Sequence, residues 1–264
     1  MTFINDLSPV LIHIGPVTIR WYGVLLSSGI ISYYFISKWI FRKEGYPLSD
    51  LDGIIIYLFW GLIIGARLGE VIFYEPSFYF SNPVEILKIW NGGLSSHGAS
   101  LGLFTSYIIW TRTHRASFTK YVDALVIGMP VTAAFVRTGN FFNSEIVGKP
   151  VGDNYYDSWG VVFRRLGEDF PRHPAQLYEA VLSIAVFFIL FLTYRRYYRK
   201  TPRMFFFFLF MGLYFSGRFI IEFWKDLHGL PGWFPLSTGQ VLSIVPVMIS
   251  AGYFLIASGL SRRN

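Results

Sequence analysis

The chain contains no cysteine. This excludes disulfides, thiolate metal sites and a cysteine nucleophile of its own, and says nothing about which compartment the loops face. Charge is also scarce. Only 15% of the 264 residues are charged, against about a quarter in an ordinary soluble domain. The N-terminus has no basic stretch ahead of an apolar core, so residues 1–20 do not read as a cleavable signal peptide. There is no internal repeat, low-complexity tract or flexible linker. The histidines His13, His114 and His228 are scattered and suggest no metal site, and no cofactor is expected.

What the chain does have is apolar surface: 53% hydrophobic and 20% aromatic residues. Many runs approach the ~20 residues needed to cross ~30 Å of hydrocarbon. The pattern predicts an all-α polytopic membrane protein, one integral membrane domain over 1–264. Its seven spans lie at about 18–40, 51–75, 94–110, 121–138, 175–194, 204–223 and 238–258.

The net charge of +7 is unevenly spread. Lys38, Arg42 and Lys43 follow the first span, Arg112, Arg115 and Lys120 the third, and Arg195, Arg196, Arg199, Lys200 and Arg203 the fifth. Arg262 and Arg263 end the tail. The alternate loops differ: 76–93 offers only Lys88 and 224–237 only Lys225, while 139–174 balances its bases with Asp153, Asp157, Glu168 and Asp169. Positive loops face the cytoplasm, so the N-terminus is expected outside and the C-terminus inside. The basic charge then reflects topology and contact with anionic lipid, and no nucleic-acid partner is expected. The 139–174 loop is the longest and carries Tyr155, Tyr156, Trp159 and the run Val161-Val162-Phe163. Such a loop is expected to fold into a small extracytoplasmic cap. Its aromatics suit either an interfacial belt or a gate over a substrate.

On this topology every unusual polar residue of the spans falls in the outer half. These are Tyr22, Arg67 with Glu70, His97, Arg137 with Asn140, Gln176, Tyr178 and Glu179, Tyr214, Arg218 and Glu222, and Gln240. Ionisable groups beside lipid are expensive unless paired or functional, so a polar cavity opening outward is the economical reading. Tyr214, Arg218 and Glu222 recur every four residues and share a helix face, as an Arg–Glu pair or as part of a site. Arg67 and Glu70, three apart, are expected to pair structurally. His97 follows Asn91-Gly92-Gly93-Leu94-Ser95-Ser96 near a helix start. It reads as a structural residue or as a base, since its ordinary pKa lies near neutrality. The stretch His173-Pro174-Ala175-Gln176-Leu177-Tyr178-Glu179 reads as an architectural helix start.

The densest polar stretch is Arg137-Thr138-Gly139-Asn140-Phe141-Phe142-Asn143-Ser144-Glu145-Ile146-Val147-Gly148. Arginine binds phosphate through two parallel charge-assisted hydrogen bonds. Two arginines in a lipid-facing cavity therefore point to a phosphate-bearing lipid, whether transformed, moved or only held. A transporter of phospholipid or anion, or a non-catalytic lipid-binding subunit, remains an alternative at this stage.

Several motifs together resemble the prolipoprotein diacylglyceryl transferase family. They are Arg20-Trp21-Tyr22-Gly23, Gly65-Ala66-Arg67-Leu68-Gly69, Gly92-Gly93-Leu94-Ser95-Ser96-His97-Gly98, the 137–148 stretch, the 173–179 stretch, and Gly217-Arg218-Phe219 with Glu222. The resemblance implies transfer of the sn-1,2-diacylglyceryl group of phosphatidylglycerol to the lipobox cysteine of a prolipoprotein signal peptide. The products are a thioether and glycerol phosphate, made in the bacterial inner membrane at its outer leaflet. It implies catalytic roles for Arg137, Arg218 and His97. Phosphatidylglycerol binding would fall to Arg137, Asn140, Tyr22, Tyr214, Glu145, Gly148 and Glu222. The chain departs from the family pattern at Val136, Glu70 and Ala175, where glycine, tyrosine and a hydroxyl residue are common. None of these removes an implied catalytic group. The chain needs no cysteine on this reading because the nucleophile belongs to the acceptor peptide.

Overall fold

The computed structural model describes residues 2–15, 17–89, 92–152, 160–226 and 235–261. Tyr155, Tyr156 and Trp159 of the long loop, its Asp153 and Asp157, Asn91, His228, Arg262 and Arg263 lie outside these. The described residues are mostly helical, with four short strands. Six helical segments are long and apolar enough to cross a membrane: Trp21–Glu44, Leu48–Phe73, Val122–Phe142, Ala175–Lys200, Phe205–Trp224 and Thr238–Ala257. They make the protein an all-α, multi-pass membrane protein, because helices satisfy their own backbone hydrogen bonds where lipid cannot.

Contacts gather the chain into two compact units, 1–36 with 123–264, and 37–122. In the smaller unit, α2 (Leu48–Phe73) packs along α4 (Ser96–Thr113). The expected third span, 94–110, is α4. It is helical but too rich in serine, threonine and glycine to count among the six apolar segments. The reason lies in its packing. A Cβ added at Gly102 would lie 2.0 Å from the Gly61 carbonyl oxygen, and one at Gly65 would lie 2.5 Å from that of Gly98. Gly61, Gly65 and Gly69 thus face Gly98, Gly102 and Ser106, and α4 has given up apolar bulk for backbone contact, the small-residue packing of membrane helices. Between the two helices run α3 (Pro76–Ser81) and a 3₁₀ turn at Pro83–Leu87.

Arg67 organises this connection. Its guanidinium donates to the carbonyls of Ile86 (2.9 Å), Gly92 (2.7 Å), Gly93 (2.9 Å), Lys88 (3.2 Å) and Glu85, and to the Tyr79 hydroxyl (3.0 Å). The expected pair with Glu70 does not form. Five carbonyls of a loop that makes little regular structure satisfy the buried cation instead, and Tyr79 stacks on it at 4.7 Å. A cavity of about 450 Å³ beside this cage is lined by Glu70, Glu75 and Glu85 as well as Arg67.

In the larger unit, α6 (Met129–Phe142), α7 (Ala175–Tyr197), α8 (Phe205–Ile221) and α9 (Thr238–Ser261) pack in chain order. The run Phe205-Phe206-Phe207-Phe208 opens α8. The helix's orphan N–H groups are met by Asp123 of α5 (Val122–Val126), whose carboxylate accepts from Met204 N at 2.8 Å and Phe207 N at 2.9 Å. Ser237 and Gln240 bond reciprocally at 2.9 and 3.1 Å to start α9, a capping box that gives Gln240 an architectural task.

The N-terminus is not helical from residue 18. β2 (Val10–Ile14) and β3 (Val17–Arg20) form an antiparallel hairpin that delivers the chain to α1 (Trp21–Glu44). β1 (Thr2–Asn5) pairs in parallel with β4 (Gly160–Phe163). The expectation of folded structure in the long loop holds for its described part. Its run Val161-Val162-Phe163 is a buried strand, with Val161 and Phe163 packed on Phe141, Val147 and Leu177. Asn5, fully buried, donates to the Phe141 carbonyl at 3.0 Å and so ties the N-terminal strand to the end of α6.

Candidate active site

The polar site grows from the end of α6. Arg137 and Asn140 lie one turn apart, so both project from the same face, and Arg137 Nη1 approaches Asn140 Oδ1 at 3.4 Å. The chain then doubles back: Glu145 N donates to the Asn140 carbonyl at 3.1 Å. This turn holds Ser144 and Ile146 at φ of +55° and +57°, a region that costs non-glycine residues about 1–3 kcal/mol each. The surroundings hold it there. Gln176 donates to the Glu145 carbonyl at 2.7 Å. Asn140 and Asn143 donate to one oxygen of the Glu145 carboxylate at 2.7 and 3.2 Å.

Gly148 closes the stretch in a place where only glycine fits. A Cβ there would lie 2.5 Å from the Trp224 carbonyl and 2.6 Å from that of His173. Its N–H donates to His173 O at 2.8 Å, and it forms a bridge with Lys225. Arg172 clamps the same junction. It pairs with Glu168 at 2.5 Å and Asp226 at 2.9 Å and donates to Gly148 O at 3.1 Å. The Glu168 carboxylate, ahead of Asp226, holds the Arg172 guanidinium above its ordinary pKa. Burial alone pushes the neighbouring His173 imidazole down.

Arg137 Nε lies 2.7 Å from Glu179 Oε2 on α7. The other oxygen of Glu179 lies 3.3 Å from Lys225 Nζ, which also reaches Glu222 Oε2 at 3.4 Å. Arg137, Glu179, Lys225 and Glu222 are therefore one chain of buried alternating charge. Glu222, one residue past α8, packs so tightly that a Cβ at Gly239 would lie 2.3 Å from its carboxylate. Tyr214 lies within hydrogen-bonding reach of Arg137, and Tyr22 within electrostatic reach of Arg137 and Glu145. The Tyr22 ring packs on Gly139, where a Cβ would lie 2.8 Å away. Arg218 lies between Tyr214 and Glu222 on their shared face. It forms no ion pair with Glu222, and its buried Nε has no hydrogen-bond partner among the described residues. Of the two readings of this spacing, the Arg218–Glu222 pair does not form, and Glu222 is met by Lys225 instead.

Tyr22, Arg137, Asn140, Glu145, Gly148, Tyr214, Arg218 and Glu222 thus belong to one unit. His97 belongs to the other. It is exposed in the first turn of α4, which Ser95 caps through Gly98 N at 3.1 Å, and its Nδ1 lies 3.0 Å from the Tyr74 hydroxyl. Glu179, Lys225 and Gln176 join the site beyond the residues that the resemblance implies; Gln176 and Glu179 stand among the outer polar residues of the sequence. Their stretch reads as a helix start, and Lys225 reads only as a loop charge. One signal pointed to Glu179: no basic residue lies three or four positions away on its own helix, so a carboxylate at that depth needs a cation from another element.

The arrangement can bind a phosphate monoanion. Guanidinium groups with unspent donors, in a site shielded from water, stabilise charge that develops on a leaving phosphate. The family model described as prolipoprotein diacylglyceryl transferase matches residues 9–257. A relative from Tolumonas auensis, named phosphatidylglycerol–prolipoprotein diacylglyceryl transferase, is 39% identical, with 95% of each chain covered. Relatives of the same name from Chloroherpeton thalassium and Janthinobacterium sp. (strain Marseille) are 37% and 34% identical. They cover 92% and 94% of this chain, and 90% and 95% of their own. A match over nearly the whole length takes in every motif from Trp21 to Glu222, and the chain belongs to the prolipoprotein diacylglyceryl transferase family.

Proposed function

We propose that this protein is a transferase that moves the sn-1,2-diacylglyceryl group of phosphatidylglycerol onto the lipobox cysteine of a prolipoprotein signal peptide. The acceptor thiolate attacks the terminal glyceryl carbon of the diacylglyceryl group. A carbon–sulfur bond forms, the carbon–oxygen bond to phosphate breaks, and glycerol phosphate leaves with the bonding pair. The observation that carries this reading is Arg218, half-buried on the face it shares with Tyr214 and Glu222, whose buried Nε has no hydrogen-bond partner among the described residues. Arg137 is approached on its Nε side by Glu179, and its Nη1 meets Asn140 only at 3.4 Å, so its terminal nitrogens keep donors for the phosphate. Phosphate is a poor leaving group until its growing charge is met by fixed donors.

Asn140, Tyr22, Tyr214, Glu145, Gly148 and Glu222 shape the phosphatidylglycerol site around these arginines. His97 serves as base for the acceptor thiol, whose ordinary pKa is about 8.5. The whole chain acts as one integral domain of the bacterial inner membrane, spanning it seven times with α4 as the third span. The N-terminus lies outside, the C-terminus inside, and 139–174 forms the periplasmic cap. The lysine and arginine asymmetry of the loops supports this orientation.

The test is purified protein in phosphatidylglycerol vesicles with a lipobox peptide, followed by mass. A diacylglyceryl adduct on the peptide cysteine is expected, and its absence with folded protein would overturn the reading. Single cysteines at Arg165 and Lys200 in the cysteine-free chain should label from outside and from the cytoplasm respectively; the reverse pattern would refute the orientation.

A further inference from the structure

We infer that Lys225 is a positioning residue for the transfer. It occupies one oxygen of Glu179 so that this carboxylate cannot close on Arg137 and take up the donors meant for phosphate. The inference rests on the transferase reading above.

Glu179 is buried, with its side chain 2% exposed, and it meets two cations from two different elements. Arg137 Nε takes Oε2 at 2.7 Å and Lys225 Nζ takes Oε1 at 3.3 Å. A carboxylate and a guanidinium left to themselves in a dry site pair through two parallel bonds. Here the approach is through Nε alone, Oε2 has no hydrogen-bond partner among the described residues, and the second oxygen is held by the ammonium. Lys225 is suited to this because an ammonium is a point charge that can face two carboxylates at once, and it also lies 3.4 Å from Glu222.

Its position is fixed by backbone. Lys149 N donates to the Trp224 carbonyl at 2.8 Å, and the bridge to Gly148 pins Lys225 itself. The Arg137–Gly148 stretch therefore sets both Arg137 and the lysine that keeps Arg137 open. Formal charges also balance: Arg137, Lys225 and Arg218 stand against Glu179, Glu222 and Glu145. Removing the lysine leaves two buried carboxylates facing one fewer cation. For Glu179 the remaining cation is Arg137.

A double-mutant cycle separates this role from plain structural support. In wild type, Lys225→Met should raise KM for phosphatidylglycerol and lower kcat/KM by roughly 10²-fold, the scale of a lost charged contact at a reacting phosphate. Lys225→Arg should recover most of that loss. In a Glu179→Gln background Lys225→Met should cost less than about threefold, because no carboxylate remains to capture Arg137. An equal cost in both backgrounds, or wild-type kinetics for Lys225→Met, would overturn the inference. Insertion and thermal midpoint in detergent are measured for every variant. Lys225→Gln replaces Lys225→Met in the cycle if the latter does not insert. Binding of short-chain phosphatidylglycerol is followed in parallel by native mass spectrometry. If wild type binds but does not transfer, the transferase reading fails. Lys225 is then judged on binding alone, by the same cycle and the same thresholds.

Discussion

Arg137 Nε and Glu179 Oε2, on adjacent helices of one unit, lie 2.7 Å apart. The contact orients Arg137 without using its terminal nitrogens, and this half-engaged state is what an anion-binding arginine requires. A forked pair would have tied up a second guanidinium nitrogen and left fewer donors for a substrate.

Arg137 should therefore be intolerant of both truncation and conservative change. Arg137→Ala is expected to lower turnover of a lipobox peptide by roughly 10²–10³-fold, the range for deleting one donor to developing charge. Arg137→Lys should be nearly as poor, because it keeps the charge and loses the planar fork. Wild-type turnover by folded, membrane-inserted Arg137→Ala would reduce the arginine to an anchor.

Arg218 offers a separate check. It forms no ion pair with Glu222, and Glu222 is held by Lys225, so charge-neutral replacement of both cannot restore activity. The double variant Arg218→Met with Glu222→Gln should insert and stay inactive. Activity close to wild type in that variant would show that the arginine had only balanced the glutamate.

His97 and Tyr74 should act together. Loss of a general base costs roughly 10²–10⁴-fold, so His97→Gln should depress turnover strongly, with partial recovery at alkaline pH where thiolate is plentiful. Tyr74→Phe removes only the hydroxyl that holds the ring at 3.0 Å, and its loss should be smaller and in the same direction. If His97→Gln turns over normally at neutral pH, the base must be sought elsewhere.

The α2–α4 contact should be the most brittle packing in the smaller unit. Gly102→Val would drive a side chain into the Gly61 carbonyl, which lies 2.0 Å from the position of a Cβ. Overpacking of this kind costs about 1–3 kcal/mol or more, and the thermal midpoint in detergent should fall accordingly. An unchanged midpoint would mean that the helices do not approach so closely.

His173 should give the fold an acid limit. Burial holds its imidazole below the ordinary value, so below about pH 6.5 the unfolded chain takes up a proton that the folded chain resists. Stability is then full above that pH and falls as the solution is acidified through it. Comparing thermal midpoints at pH 7.5 and 5.5, His173→Gln should show a smaller drop than wild type. Equal drops would assign the acid sensitivity to other groups.

Much of the protein is legible in its sequence. Apolar runs in a chain with so little charge must become helices, because lipid offers no partner for an open backbone. The spacing of Arg137 and Asn140, and of Tyr214, Arg218 and Glu222, fixes which side chains share a face, because local helix geometry alone decides it. The partners of the charges are another matter. Arg67 pairs with loop carbonyls in place of Glu70. Glu222 takes Lys225 in place of Arg218, and Glu179 joins Arg137 to Lys225 from a segment that reads as a mere helix start. An ion pair is chosen by distance in space, and Glu179 finds Arg137 and Lys225, the latter 46 positions on, only because the chain returns past itself. The sequence by itself determined which residues must be helical and which polar groups needed an explanation. Only the packing of α6 on α7 and the strap from Gly148 to Lys225 decided which charges meet and which arginine donors remain open.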